Sequence, residues 1–121
     1  MRILIVDDEA AVAETLADAV RLQGHVPAVA HSGAEGLAAI EAAAPEAVFL
    51  DLVMPGLSGV ELLREIRQRH PELSIVVVTG RAAPLDLAEV RRLGVTDIVE
   101  KPWALTQLDE ALRSLRTGEG T

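Results

Sequence analysis

The sequence predicts an α/β domain built on a five-stranded, doubly wound parallel sheet with five helices, and three observations predict it. Short apolar runs recur along the chain, the first three of them do not alternate with polar residues, and helix-period segments with their own start and stop residues separate them. Strands buried on both faces read this way, because helices cover a parallel sheet from either side. Strict βα alternation then leaves a doubly wound sheet as the arrangement that buries every apolar stripe.

Taken in order, the first strand is Ile3 to Val6. In the helix that follows, Val12, Leu16, Ala19 and Val20 share one face, Leu22 lies at its margin, and Gly24 is a C-terminal stop. Val26 to Ala30 is a strand interrupted by Pro27, which has no N–H to give and so suits a sheet edge. Ser32 with Glu35 forms a capping-box pattern that opens a helix, and Pro45 ends it. Ala47 to Leu50 is the third strand. Ser58 with Glu61 repeats the capping pattern before Leu62, Leu63 and Ile66, and that helix stops before Pro71. Ile75 to Val78 is the fourth strand. Pro84 suits the first turn of a helix running to Arg92, with Gly94 as its stop. The weaker pair Ile98-Val99 is the fifth strand, and Leu105, Leu108, Leu112 and Leu115 mark a fifth helix that Thr106 and Asp109 would cap.

These elements fill residues 1–116 as one domain, and residues 117–121 read as a polar tail or the start of a linker. A chain of this size buries roughly two-thirds of the surface it exposes when unfolded, so it needs no covalent staples. The absence of Cys agrees with a reducing compartment or is simply neutral. Apolar runs of about four residues fall far short of the roughly 20 that span a bilayer. Met1-Arg2-Ile3-Leu4 leads straight into a strand rather than a signal peptide, so a cytoplasmic protein without membrane contact is expected. Eleven basic residues against 19 acidic ones give a net charge of −8, which opposes non-specific nucleic-acid binding. Phe49 and Trp103 are the only aromatic residues, which opposes base stacking as well.

Ligands of doubly wound sheets bind beyond the carboxyl ends of the strands. Asp7 and Asp8 follow the first strand, Asp51 the third, Thr79 closes the fourth, and Lys101-Pro102 follows the fifth. Two carboxylates about 4 Å apart repel by roughly 4 kcal/mol at an effective dielectric near 20, so three together call for a proton or a cation. An all-oxygen set with room for water suits Mg²⁺, which also bridges readily to phosphate. Helix capping by Asp7 and Asp8 is the plainer alternative. His25, His31 and His70 have no ligand spacing and read as surface or cap residues.

The run Ile3-Leu4-Ile5-Val6-Asp7-Asp8-Glu9, the run Asp51-Leu52-Val53-Met54-Pro55-Gly56 with Gly59, the pair Thr79-Gly80, and Lys101-Pro102-Trp103 together resemble the receiver domains of two-component response regulators. The resemblance covers the chain from Ile3 to about Leu115. It implies a flavodoxin-like sheet of order 2-1-3-4-5. It also implies that Asp51 accepts a phosphoryl group from a phosphohistidine of a partner histidine kinase or phosphotransfer protein. Asp7, Asp8, Asp51 and the main-chain carbonyl of Val53 would hold Mg²⁺, and Thr79 and Lys101 would contact phosphoryl oxygens. Phosphoryl transfer asks a protein mainly for positioning and charge neutralisation, which such a set supplies. A downstream output domain or protein, or a second copy of the chain, would read the surface of the fourth helix, fifth strand and fifth helix. Such a protein catalyses only its own phosphorylation and slow self-dephosphorylation.

The chain departs from the family at Ile98, where an aromatic residue usually stands three residues before the lysine. Coupling between site and output is then expected to be mild, or to run mainly through the loops after Thr79 and the fourth helix. Val53 and Arg81 occupy the two positions that tune acyl-phosphate lifetime in the family, and an apolar Val53 beside a long Arg81 implies a long-lived phosphorylated state. Unchanged dephosphorylation in Arg81→Ala would remove that expectation. Trp103 should lie near enough to the site for its fluorescence to sense Mg²⁺. Two other readings compete: a receiver-like docking module that works without phosphorylation, and an aspartyl-phosphate phosphohydrolase, which wants a second acid where Val53 stands.

Overall fold

The computed structural model describes residues 1–52, 59–79, 84–100, 110–113 and 115. Five parallel strands, β1 (Arg2–Val6), β2 (Val26–Ala30), β3 (Ala47–Asp51), β4 (Ser74–Thr79) and β5 (Asp97–Glu100), form one sheet in the order β2-β1-β3-β4-β5. Helices α1 (Ala10–Leu22), α2 (Gly33–Ala42), α3 (Gly59–Arg69) and α4 (Pro84–Arg92) alternate with them. Helical residues at 110–113 and 115 belong to a fifth helix, α5. The expected α/β architecture and strand order are therefore those of the molecule.

Side-chain alternation along each strand splits the core into two layers. Ile3, Ile5, Ala47, Phe49, Val76, Val78 and Val99 face α1 and α5 residues such as Leu16, Val20 and Leu112. Leu4, Val6, Val48, Leu50, Ile75 and Val77 face Ile40 of α2, Leu62 and Ile66 of α3, and Val90 of α4. Both faces are covered, so the inner strands carry no polar stripe.

Local chemistry sets the element ends. Ser32 is the N-cap of α2, and its hydroxyl accepts the Glu35 N–H at 3.1 Å. Gly24 ends α1 with φ +84°: its N–H donates to Arg21 O at 2.9 Å and the His25 N–H to Val20 O at 3.1 Å. That paired closure needs a left-handed residue, which glycine adopts without a Cβ penalty. Pro27 lies in β2, at one sheet edge as expected. Ser58, Thr106 and Asp109, expected as caps, lie outside the described residues, as do residues 117–121.

Two expectations need correction. The buried stripe of α1 is Ala13, Leu16, Ala17 and Val20, with Val12 and Ala19 half-buried beside it, and Leu22 is 85% exposed. Two alanines on the inner face bring the helix axis close to the sheet and rotate the larger flanking residues outward. Among the histidines, His31 is exposed and His70 is half-buried just past α3, but His25 is buried, its Nδ1 2.9 Å from the Met1 amino nitrogen.

Candidate functional site

Register brings the acids together. β1 and β3 pair Val6 with Leu50, so the next residue of each strand, Asp7 and Asp51, falls at the same level of the sheet. Asp7 continues the alternation of Ile3 and Ile5, and Asp51 that of Ala47 and Phe49, so both belong to the face covered by α1. Asp51 is itself the last residue of β3, paired with Val78, rather than the first beyond it. Asp7 is 1% and Asp51 2% exposed, whereas Asp8 is open to solvent. One carboxylate oxygen from each of Asp7, Asp8 and Asp51 lies within 4.8 Å of the other two.

Capping does not account for this cluster. The N-cap of α1 is Glu9, which makes no side-chain capping bond. Asp7 accepts the Glu9 N–H at 2.9 Å through Oδ1, and its own N–H donates to Ala30 O at 3.0 Å. These bonds fix Asp7 at the strand–helix turn, and the first turn of α1 sets the positive end of its dipole close to the acids. At 4.8 Å and an effective dielectric near 20, each ionised pair still repels by roughly 3 kcal/mol. A hard divalent cation relieves that repulsion, and three carboxylate oxygens with one side open to water match the needs of Mg²⁺.

The segment after Asp51 returns to the sheet at Gly59. Its N–H donates to Leu52 O at 3.1 Å, and a Cβ there would lie 2.2 Å from Leu52 Cα. Only glycine permits that approach, so the start of α3 is anchored one residue beyond the candidate phosphoacceptor.

Thr79 ends β4 and pairs with Glu100, the last residue of β5. Both strand ends therefore lie at the carboxyl edge that holds the acids. Val53, Arg81 and Lys101 lie outside the described residues, as do Pro102 and Trp103. Ile98 is half-buried and packs against the layer that contains Val77 and Val90, so this position is filled from the α4 side. Sequence reading passed over Arg67, in the last turn of α3. Its Nε donates to Leu93 O at 3.1 Å and Nη2 to Gly94 O at 2.6 Å. The usable signal was a basic residue at a helix C-terminus just ahead of His70-Pro71.

A doubly wound parallel sheet with a buried acidic pair and a third carboxylate at its carboxyl edge defines a class of protein that meets its ligand beyond the strand ends. Within that class the match is specific: the response regulator receiver domain aligns with residues 3–113, and the chain belongs to that family. It is 37% identical over 115 residues to the response regulator MprA of Mycobacterium avium, covering 95% of this chain and 50% of that one. The chain thus spans about half the length of such relatives. Among solved structures, the receiver domain of NtrX from Brucella abortus is 37% identical with a TM-score of 0.86, covering 95% of this chain and 98% of that one. A CheY-like receiver domain protein from Methanospirillum hungatei is 28% identical with a TM-score of 0.90, covering 96% and 94% respectively. No helix among the described residues is long and apolar enough to cross a membrane.

Proposed function

We propose that this domain is a phosphoacceptor switch: a carboxylate oxygen of Asp51 attacks the phosphorus of a partner's phosphohistidine. A P–O bond forms as the P–N bond breaks, and the partner's imidazole leaves with the electron pair. The observation that carries this reading is the meeting of Asp7, Asp8 and Asp51 oxygens within 4.8 Å at the carboxyl edge. Asp7, Asp8 and Asp51 would hold Mg²⁺, with the Val53 carbonyl added by family resemblance. The bound ion supplies charge neutralisation for an anionic donor approaching an anionic site. Asp7 contributes rigidity, because the Glu9 N–H holds its carboxylate and its own N–H is tied to Ala30 O. Asp8 contributes a carboxylate on the solvent-exposed side of the cluster. Thr79 and Lys101 would contact phosphoryl oxygens.

The partners are then a sensor histidine kinase or phosphotransfer protein on one side, and an output domain, output protein or second copy on the other. Chemistry ends with the domain's own phosphorylation and slow hydrolysis, so it is not a turnover enzyme. The reading places the protein in the cytoplasm. Incubation with acetyl phosphate and Mg²⁺ followed by intact mass tests it. A phosphoryl adduct is expected on the native chain and not on Asp51→Asn. An unmodified native chain points instead to a docking module, and multiple turnovers on small phosphomonoesters to a phosphohydrolase.

A further inference from the structure

The amino-terminal edge of the sheet carries an ionic arrangement that the phosphoacceptor reading does not use. Arg67 is half-buried, and its guanidinium gathers main-chain carbonyls from two segments. On the α3–β4 side, Nη1 donates to His70 O and Pro71 O at 3.3 Å each, and to Leu73 O at 2.5 Å. On the α4–β5 side the acceptors are Leu93 O and Gly94 O. Gly94 has φ +80° and its N–H donates to Arg91 O at 3.1 Å, so these two carbonyls close the end of α4. The C-terminal ends of α3 and α4, each the negative end of a helix dipole, thus converge on one planar cation. Thr96, two residues past Gly94, donates its N–H to Ile75 O at 2.7 Å and carries the anchorage into β4. A weaker tie runs between the same helices at the surface, from Arg64 to Glu89 at 3.2 Å.

The Leu93 end of α4 is therefore held through its main-chain carbonyls by a single cation. The helix spans about 13 Å at 1.5 Å per residue. Its Pro84 end follows Thr79 at the edge where the acids lie, and its Leu93 end is clamped at the other edge. We propose that Arg67 is a positioning residue about which α4 turns: a displacement begun at the phosphoacceptor edge swings the Pro84 end and leaves Leu93 and Gly94 in place. The rigid guanidinium fork suits this task, since an ammonium cannot address two separated segments in one plane. The inference rests on the reading of Asp51 as phosphoacceptor and adds how its signal is confined.

Amide hydrogen exchange on the whole chain, with and without acetyl phosphate and Mg²⁺ and with phosphorylation followed by intact mass, tests it. In the native chain, phosphorylation should change exchange in the first turn of α4 at least fivefold, with the Leu93, Gly94 and Thr96 amides staying within twofold. In unphosphorylated Arg67→Met those three amides should exchange at least tenfold faster, and Arg67→Lys should fall between. Phosphorylation should still occur in both variants, and in Arg67→Met it should also alter the Leu93 end. Equal changes at both ends of α4 in the phosphorylated native chain overturn the pivot even if neither variant folds. So does native-like exchange in a folded Arg67→Met. A native chain that takes no phosphoryl group defeats the phosphoacceptor reading, and the pivot with it.

Discussion

The two edges of the sheet solve opposite electrostatic problems. At the carboxyl edge, three like charges are brought within 4.8 Å, two of them on residues almost wholly buried. At the amino edge, one cation is surrounded by carbonyls of His70, Pro71, Leu73, Leu93 and Gly94. The amino edge is electrostatically satisfied by the fold alone and so acts as a fixed frame. At the carboxyl edge the three carboxylates repel one another when ionised, a cost that on the proposed function a bound Mg²⁺ would relieve. A receiver domain needs both, because a response at one edge is readable only against a reference at the other.

This contrast can be broken or sharpened at several places. Gly59→Ala forces a Cβ against the Leu52 backbone, where no side-chain rotation relieves the overlap. It should lower unfolding free energy in urea by about 3 kcal/mol, and phosphorylation should fall because the segment after Asp51 is displaced. Saturating Mg²⁺ should stabilise the native chain, by about 2.7 kcal/mol at a concentration 100 times its dissociation constant, while Asp8→Asn responds less. Arg67→Met strips a charged donor from five main-chain carbonyls, three of them in half-buried bonds, and should cost about 2 kcal/mol in the same urea titration, with the Mg²⁺ response intact.

The smallest effect belongs to the exposed network between α2 and α3. Hydrogen bonding from His70, followed by its charge and that of Arg69, holds the Glu41 carboxyl below its ordinary range. A depressed carboxylate stabilises the fold above its unfolded pKa and loses that contribution as pH falls through the folded one. His70→Ala should return the Glu41 titration, followed by NMR, toward the ordinary glutamate range. Stability should barely change, since Glu41 is exposed and His70 only half-buried, so solvent screens the pair.

What was legible in the sequence follows from the range of each rule. Ser32, Gly24, Pro84 and Gly94 act within a few residues of themselves, so the ends they set were readable in order. Asp7 and Asp8 lie far from Asp51 in sequence, yet a topological rule about strand ends sufficed to join them. The inward face of α1 was harder, because helical period alone does not say whether Val12 or Ala13 is buried. Ala13 and Ala17 win by letting helix and sheet approach. Arg67 was only half legible for a related reason: its place at a helix C-terminus could be read, but its partners are main-chain oxygens, which leave no trace in side-chain identity.

Unfolding free energies of the native chain and Asp51→Asn, each in EDTA and in saturating Mg²⁺, put the stored repulsion to its most direct test. Removing one buried charge should make Asp51→Asn the more stable of the two by about 1 kcal/mol in EDTA, and the less stable in Mg²⁺. The same ranking under both conditions would mean that the three acids neither oppose one another nor share an ion.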